Sequence, residues 1–287
     1  MFYLYYSILE RNTPSEYNRA ERIKTKDFRD MKNADPVLSV VKTMKLLETL
    51  SKQDEVGVTE LSEAVDGNKS TVYRFLNTLS GLGYVRQNKK NEKYSLTLKL
   101  FQLGVQALNR LDLHKAAQPI MEELAEYSNE TIHLASMEEN HIFYLDKIES
   151  PLALRVAMGS AQGRFAQPYC TAVGKTILSW LSDQKKDEML KDTNWVGRTS
   201  TTITSRDDLD NELEQIHKQG FAYDMEENEA GVRCVAAPIF DSGDNICGAL
   251  SISGPSVRMN REKLDNLTKQ LISAGKKISE DLGTQKY

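Results

Sequence analysis

The stretch from Thr59 to Tyr94, TELSEAVDGNKSTVYRFLNTLSGLGYVRQNKKNEKY, reads as a short helix, a tight turn, a second helix and a basic hairpin. Few folds accept that order of parts, and a winged helix-turn-helix is foremost among them. In the first helix Leu61, Ala64 and Val65 keep the three- and four-residue spacing of a buried stripe. The turn Asp66-Gly67-Asn68 offers a glycine free to take positive φ and an asparagine able to cap the next helix. In that helix Val72, Phe75, Leu76 and Leu79 form one stripe. At about 100° per residue the opposite side carries Ser70, Arg74 and Asn77, flanked by Thr71 and Tyr73, with Lys69 at the start. A helix of this width fits the major groove, where Arg pairs with guanine edges, Asn with adenine, and Ser or Thr with phosphate or base.

Beyond Gly83, Tyr84-Val85-Arg86 and Lys93-Tyr94-Ser95-Leu96 alternate as two short strands around the cationic turn Asn88-Lys89-Lys90-Asn91. Lysines at such a tip strengthen binding to phosphate without reading sequence. The same order of parts also builds protein-interaction modules, and two adjacent lysines also occur as an ordinary solvated turn. The pattern therefore leaves both functions open.

The segments Lys69 to Leu76, Gly83-Tyr84-Val85 and Tyr94 to Leu100 resemble the DNA-binding half of the IclR family of transcriptional regulators. Gly231 to Asp241 and Leu250 to Pro255 resemble that family's effector-domain signature. The resemblance runs from Val37 to Leu282. Lys69 to Leu76 and Glu92 to Phe101 are most similar to the branch that represses ketodeoxygluconate and pectin catabolism. The resemblance implies an α+β chain with an N-terminal winged helix-turn-helix domain, a linker helix and a C-terminal GAF-like α/β effector-binding domain. The expected boundaries are residues 31–96, 97–112 and 113–287.

Charge is divided in the same sense. Residues 31–112 hold 12 Lys and Arg against 9 Asp and Glu, whereas residues 113–287 hold 19 against 27. A mildly basic small domain suits a double-stranded DNA operator, and an acidic larger one does not. Cys170, Cys234 and Cys247 lack CxxC spacing and do not pair with His114, His133, His141 or His217 at zinc-ligand spacings, so no metal and no cofactor are expected. The apolar start reaches a charge at Glu10, short of the roughly 20 residues a membrane span needs. It also lacks a basic leader region, which points to a cytoplasmic protein. Residues 1–30 are dense in charge with little apolar periodicity and are expected to be poorly ordered. They read either as an upstream extension of the reading frame, with Met31 the natural start, or as a genuine arm that contacts DNA or a partner.

Pro36 is expected to open a helix that packs Val37, Val40, Val41, Met44 and Leu47 under the reading helix. In the linker, Leu98, Leu100, Phe101, Leu103, Val105, Ala107, Leu108 and Leu111 spread over more than one stripe. Such a helix is either buried within its own domain or forms a seam between copies. A homodimer or homotetramer on a palindromic operator follows from the second reading. The effector half reads as a helix near Lys115–Tyr127 and strands near Thr131–Ser136, His141–Ile148 and Leu152–Ala157. Helices follow near Thr171–Leu181 and Asp207–Gln219, then strands near Val232–Phe240 and Ile246–Ser253, and a helix from Arg261 to about Leu282.

Strand alternation turns Ser251 and Ser253 to one side and Leu250 and Ile252 to the other. By the resemblance, Asp224 and Cys234 match the family's ligand-site aspartate and cysteine. Ala172 and Val173 match positions that offer backbone N–H groups. A helix beginning near Thr171 would seat a carboxylate on those groups, leaving Asp224 for sugar hydroxyls. Arg155, where the family can carry an apolar residue, and Arg164 are candidates to neutralise a longer acid, which points away from glyoxylate. Each residue also has an ordinary structural role open to it: strand serines pack, a lone cysteine is a small buried group and a loop aspartate is solvated. The expected function is a repressor answering to a small anionic sugar acid. An enzyme built on Cys234 or Cys170 with His133 and Asp224 is the rival, and no nucleophile elbow, P-loop or metal-ligand motif supports it.

Overall fold

The computed structural model describes residues 37–108, 112–138, 140–156 and 160–286. The readings placed on residues 1–30, Pro36, Ala157 and Leu111, and on the side chains of Val105, Ala107 and Leu108, lie outside the described residues. The chain forms two compact units that divide between Gln106 and Ala107.

The first unit contains α1 (Leu38–Leu50), α2 (Val58–Ala64), α3 (Lys69–Gly81), β1 (Val85–Gln87), β2 (Tyr94–Leu96) and most of α4 (Leu98–Leu108). Its core gathers Leu46, Leu50, Val56, Leu61, Val65, Val72, Leu76, Leu79, Val85 and Tyr94. The stripe expected on α3 is the buried one, with Phe75 half-buried. Asn68 caps that helix, its side chain accepting from Thr71 N at 2.9 Å. Asp66, not Gly67, takes the left-handed conformation in the turn, with φ 47°. Gly67 serves close packing instead, since a Cβ there would lie 3.2 Å from Val65.

Two expected faces are corrected. In α2 the inward positions are Leu61 and Ser62, while Ala64 is exposed, because Ser62 can satisfy its hydroxyl on Val58 O at 2.7 Å. In α1 the core takes Leu46 and Leu50, with Leu47 packed at its edge. Val37, Val40 and Met44 are exposed and Val41 is only half-buried. That helix carries two apolar stripes, and periodicity alone does not say which one the core will use. On α4, Leu98, Phe101 and Leu103 are exposed.

The second unit is built on a sheet of order β5-β4-β3-β8-β7-β6, antiparallel throughout. Its strands are β3 (Thr131–Glu138), β4 (His141–Ile148), β5 (Phe165–Ala166), β6 (Ala222–Met225), β7 (Val232–Phe240) and β8 (Ile246–Pro255). The helices are α5 (Asp112–Ser128), α6 (Ala172–Ser179), α7 (Asp183–Leu190), α8 (Arg206–Gln219) and α9 (Arg261–Asp281). Alternate strand residues serve two cores. Ile132, Leu134, Val235, Ala237, Leu250 and Ile252 face α5 and α9. Ala135, Ala236 and Ala249 face α6 and α8.

Of the strand expected at Leu152–Ala157, the described residues 152–156 form none, and residues 151–154 are bends. The free edge of β4 is taken instead by Phe165–Ala166, paired Ile142 to Ala166 and Phe143 to Phe165. The sequence reading also missed α7, whose charged residues give it little amphipathic pattern, and the short strand β6.

Candidate DNA-reading surface and effector site

On α3, Lys69, Ser70, Tyr73, Arg74 and Asn77 are exposed along the face opposite the core, and Lys89 and Lys90 are exposed at the turn joining β1 to β2. Thr71 departs from this set. It is half-buried and its backbone N–H closes the Asn68 cap, a bond that Ser70 Oγ joins at 3.0 Å. Ser70 and Thr71 thus order the start of α3, while Tyr73, Arg74 and Asn77 point outward with no part in the cap. The hairpin is held in register by Val85 opposite Leu96 and Gln87 opposite Tyr94, and by Val56 pairing with Tyr94 from outside.

In the second unit, sheet register assembles the other site. Asp224, Cys234, Ser253 and Thr131 stand side by side across β6, β7, β8 and β3, all directed to the face that carries α6. The adjacent row is Ala222, Ala236, Ser251, His133 and Lys147, the last on β4. Sequence alternation paired the two serines correctly, but placing Asp224 and Cys234 beside them required the strand order.

Helix α6 packs over β6, β7 and β8 with its first turn buried. Thr171 caps it, accepting from Gly174 N at 3.1 Å and donating to Gln167 O at 2.6 Å. Gly174 is required here, since a Cβ would come within 2.5 Å of Gln167 O and 2.7 Å of Pro168 O. The N–H groups of Ala172 and Val173 precede the first intrahelical bond. They carry the positive end of the helix dipole, and both residues are buried.

Asp224 is buried, and its Oδ1 accepts from Glu227 N at 2.7 Å. Burial pushes its carboxyl up to about 7; the backbone bond from Glu227 opposes the shift, the Glu227 charge adds to it and Lys175 opposes it. Lys175 was missed by sequence reading. It is fully buried on α6 and binds Glu227 at 2.5 Å and Glu212 at 3.3 Å. A lysine inside an apolar helical run was the available signal.

His133, named from sequence only as a possible base, is central to the site. Its Nε2 shares a hydrogen bond with Ser160 Oγ at 2.8 Å, its Nδ1 lies 3.4 Å from Ser253 Oγ, and its ring leans on Tyr144. Burial, aided by the charge of Lys147, depresses it to about 3, so it is a neutral hydrogen-bonding group. Lys147 is largely buried and pairs with Glu149 at 3.3 Å. Arg155 and Arg164 are exposed, and Arg155 pairs with the outer side of Glu149 at 3.3 Å. The register thus brings Lys147, not Arg155, into line with His133 and Ser251.

These groups do not make a nucleophile. Burial raises the Cys170 thiol to about 12 and the Cys234 thiol well above its ordinary value. Cys170 donates to Asn228 Oδ1 at 3.6 Å, and His133 bonds serines. A thiol attacks only as thiolate, so neither cysteine is set up as a nucleophile. Among the described residues no helix is long and apolar enough to cross a membrane.

Residues 39–89 match the IclR helix-turn-helix domain and residues 105–280 match the bacterial transcriptional regulator IclR C-terminal domain. The chain is 43% identical over 256 residues to the HTH-type transcriptional regulator KdgR of Escherichia coli K12, covering 89% of this chain and 97% of that protein. It is 41% identical to KdgR of Dickeya chrysanthemi, covering 89% and 83%. The crystal structure of the Thermotoga maritima IclR superposes with a TM-score of 0.72 at 31% identity, covering 85% of this chain and 98% of that one. The C-terminal domain of E. coli KdgR superposes with a TM-score of 0.55 at 36% identity, over 60% of this chain and 99% of that one. With both halves matched in order by the family's two domains, and with relatives that are transcriptional regulators, the chain belongs to the IclR family of transcriptional regulators and is not an enzyme.

Proposed function

We propose that this regulator represses sugar-acid catabolic genes and is released from a palindromic operator by an acid of the 2-keto-3-deoxygluconate type. The observation that carries the reading is the two-row register of buried polar groups, Asp224, Cys234 and Ser253 beside Ser251 and His133, next to the first turn of α6. A carboxylate on the Ala172 and Val173 N–H groups leaves a chain of hydroxyls to run along these rows toward Lys147. Adjacent strands lie about 4.8 Å apart, so the span from β8 to β4 suits a multi-carbon hydroxy acid and exceeds a two-carbon one. The similarity to the KdgR regulators supports the same class.

Release requires the acid to prefer the conformation whose reading heads are misplaced, since equal affinity for both states moves nothing. A coupling of about 1 to 3 kcal/mol lowers operator affinity roughly 5- to 150-fold, and operator weakens acid binding by the same factor. Calorimetry on the full chain with 2-keto-3-deoxygluconate, pyruvate and glyoxylate tests the reading. Binding of the six-carbon acid alone, with loss of operator affinity, is expected; preference for the short acids overturns it.

A further inference from the structure

The tip of the β1–β2 hairpin is tied to the rest of its unit through one carboxylate. Glu55 precedes Val56, whose backbone exchanges both hydrogen bonds with Tyr94 at 2.9 Å. Glu55 Oε1 accepts from Asn88 Nδ2 at 2.8 Å and Oε2 accepts from Asn91 Nδ2 at 2.6 Å. Each asparagine then spends its own oxygen on the turn. Asn88 Oδ1 accepts from Lys90 N and Asn91 Oδ1 from Lys93 N, both at 3.0 Å.

The carboxylate therefore orients both asparagines of a turn that the hairpin's own backbone bonds, Asn88 N to Lys93 O and Glu92 N to Asn88 O, both at 2.8 Å, close. Because both its oxygens accept, both amide NH2 groups must point to it, and the amide oxygens are left for the backbone N–H groups of Lys90 and Lys93, one on each side of the turn. Glu92, which closes the turn, has φ 56°, a conformation that persists in a non-glycine residue only where surrounding bonds hold it. Hydrogen bonds from Asn91 and then Asn88 hold the Glu55 carboxyl below the usual carboxylate range.

An acidic group beside a cationic tip is unfavourable for a phosphate-binding surface if charge alone matters. We propose that Glu55 is a positioning residue for DNA binding, fixing the hairpin turn in the shape that presents Lys89 and Lys90 to the phosphate backbone. The proposal rests on the reading of this hairpin as a DNA-contacting wing. It also fixes a sign: deleting the negative charge should weaken binding, where Coulomb's law alone would strengthen it.

The test uses the full chain and a short duplex of mixed sequence, with affinity measured against salt concentration. Glu55→Ala is expected to bind roughly 3- to 30-fold more weakly and to flatten the slope of log K against log salt by about one to two, the share of one or two phosphate contacts. Glu55→Gln, which keeps an acceptor for one asparagine but no charge, should fall between. On a Lys89→Ala/Lys90→Ala background, Glu55→Ala should cause no further loss. Tighter binding by Glu55→Ala would overturn the proposal, as would a lowered Tm with an unchanged salt slope, or a full additional loss without the lysines. If Lys89→Ala/Lys90→Ala binds like the parent, the wing does not dock on phosphate, and that reading falls together with the role assigned to Glu55.

Discussion

Asp224 and Glu227 are joined across the turn that follows β6. Asp224 Oδ1 accepts from the Glu227 N–H at 2.7 Å, and the Glu227 carboxylate reaches the buried Lys175 at 2.5 Å. The aspartate offered to an effector is thus also the cap of the turn that holds a buried ion pair. An effector contact at Asp224, as proposed above, would therefore be linked to local stability through one side chain. We expect Asp224→Ala to lose the cap as well as the ligand group, lowering stability by about 1 to 3 kcal/mol. It should also blunt induction while leaving operator affinity without effector nearly intact. Equal acid binding by parent and variant in calorimetry would assign Asp224 a structural role alone.

The raised carboxyl of Asp224 gives stability a pH dependence of definite sign. Its folded value of about 7 lies above the ordinary carboxylate value, so the folded state holds a proton that the unfolded state releases. Its contribution is therefore complete below about pH 4 and is lost as pH rises toward 7. The full excursion is of the order of 4 kcal/mol. Asp224→Asn keeps the acceptor and cannot ionise. Its stability relative to the parent should rise between these pH values in urea titrations, and a flat difference would contradict the assignment.

Glu130 behaves in the opposite sense. It is fully buried and receives Arg258 through two bonds, at 2.9 and 2.7 Å, and Lys263 at 2.7 Å, joining the turn before β3 to the start of α9. Burial pushes its carboxyl up, but the bonds from Arg258 and Lys263 prevail and hold it low. Its contribution is present above the unfolded value and lost as pH falls through the folded one. Glu130→Gln should cost about 3 kcal/mol, the low end for breaking a buried pair, because both cations are partly exposed. Chemical denaturation at neutral pH measures this, and the difference should shrink in acid.

Arg74 and the wing lysines should separate sequence reading from affinity. Arg74→Ala is expected to cost about 1 to 3 kcal/mol on the cognate operator and to relax its preference, whereas Lys89→Ala weakens all sequences alike. Equal losses on cognate and unrelated DNA for Arg74→Ala would remove it from the base-reading set.

The exposed Phe101 on α4 tests the seam between copies. With Leu98, one turn before it on the same side, it leaves an apolar face exposed, and Leu103 is exposed on the opposite side. Phe101→Asp should bury an unpaired carboxylate in that seam and shift sedimentation toward monomer. An unchanged oligomer would place the seam elsewhere.

Periodicity made much of this legible. The α3 stripe, the hairpin, the two serines of β8 and the strands β3, β4, β7 and β8 follow from local rules, because each places its side chains by its own geometry. Where two solutions satisfy the same local rule, it fails. Leu152, Leu154 and Val156 alternate as a strand would, yet Phe165–Ala166 holds the edge of β4. Val40 and Met44 are as apolar as Leu46 and Leu50, yet only the latter meet the core.

By itself, then, the sequence determined the helix-turn-helix and its hairpin, the division of charge and the alternation that sets Ser251 and Ser253 on one side of β8. Only the tertiary structure decided the register that sets Asp224, Cys234 and Ser253 abreast, the burial of Lys175 and Glu130, and the alignment of Lys147 with His133. The physical reason is that burial and charge pairing depend on distances between segments far apart in the chain. A buried ion is tolerated only where the fold has already supplied its partner.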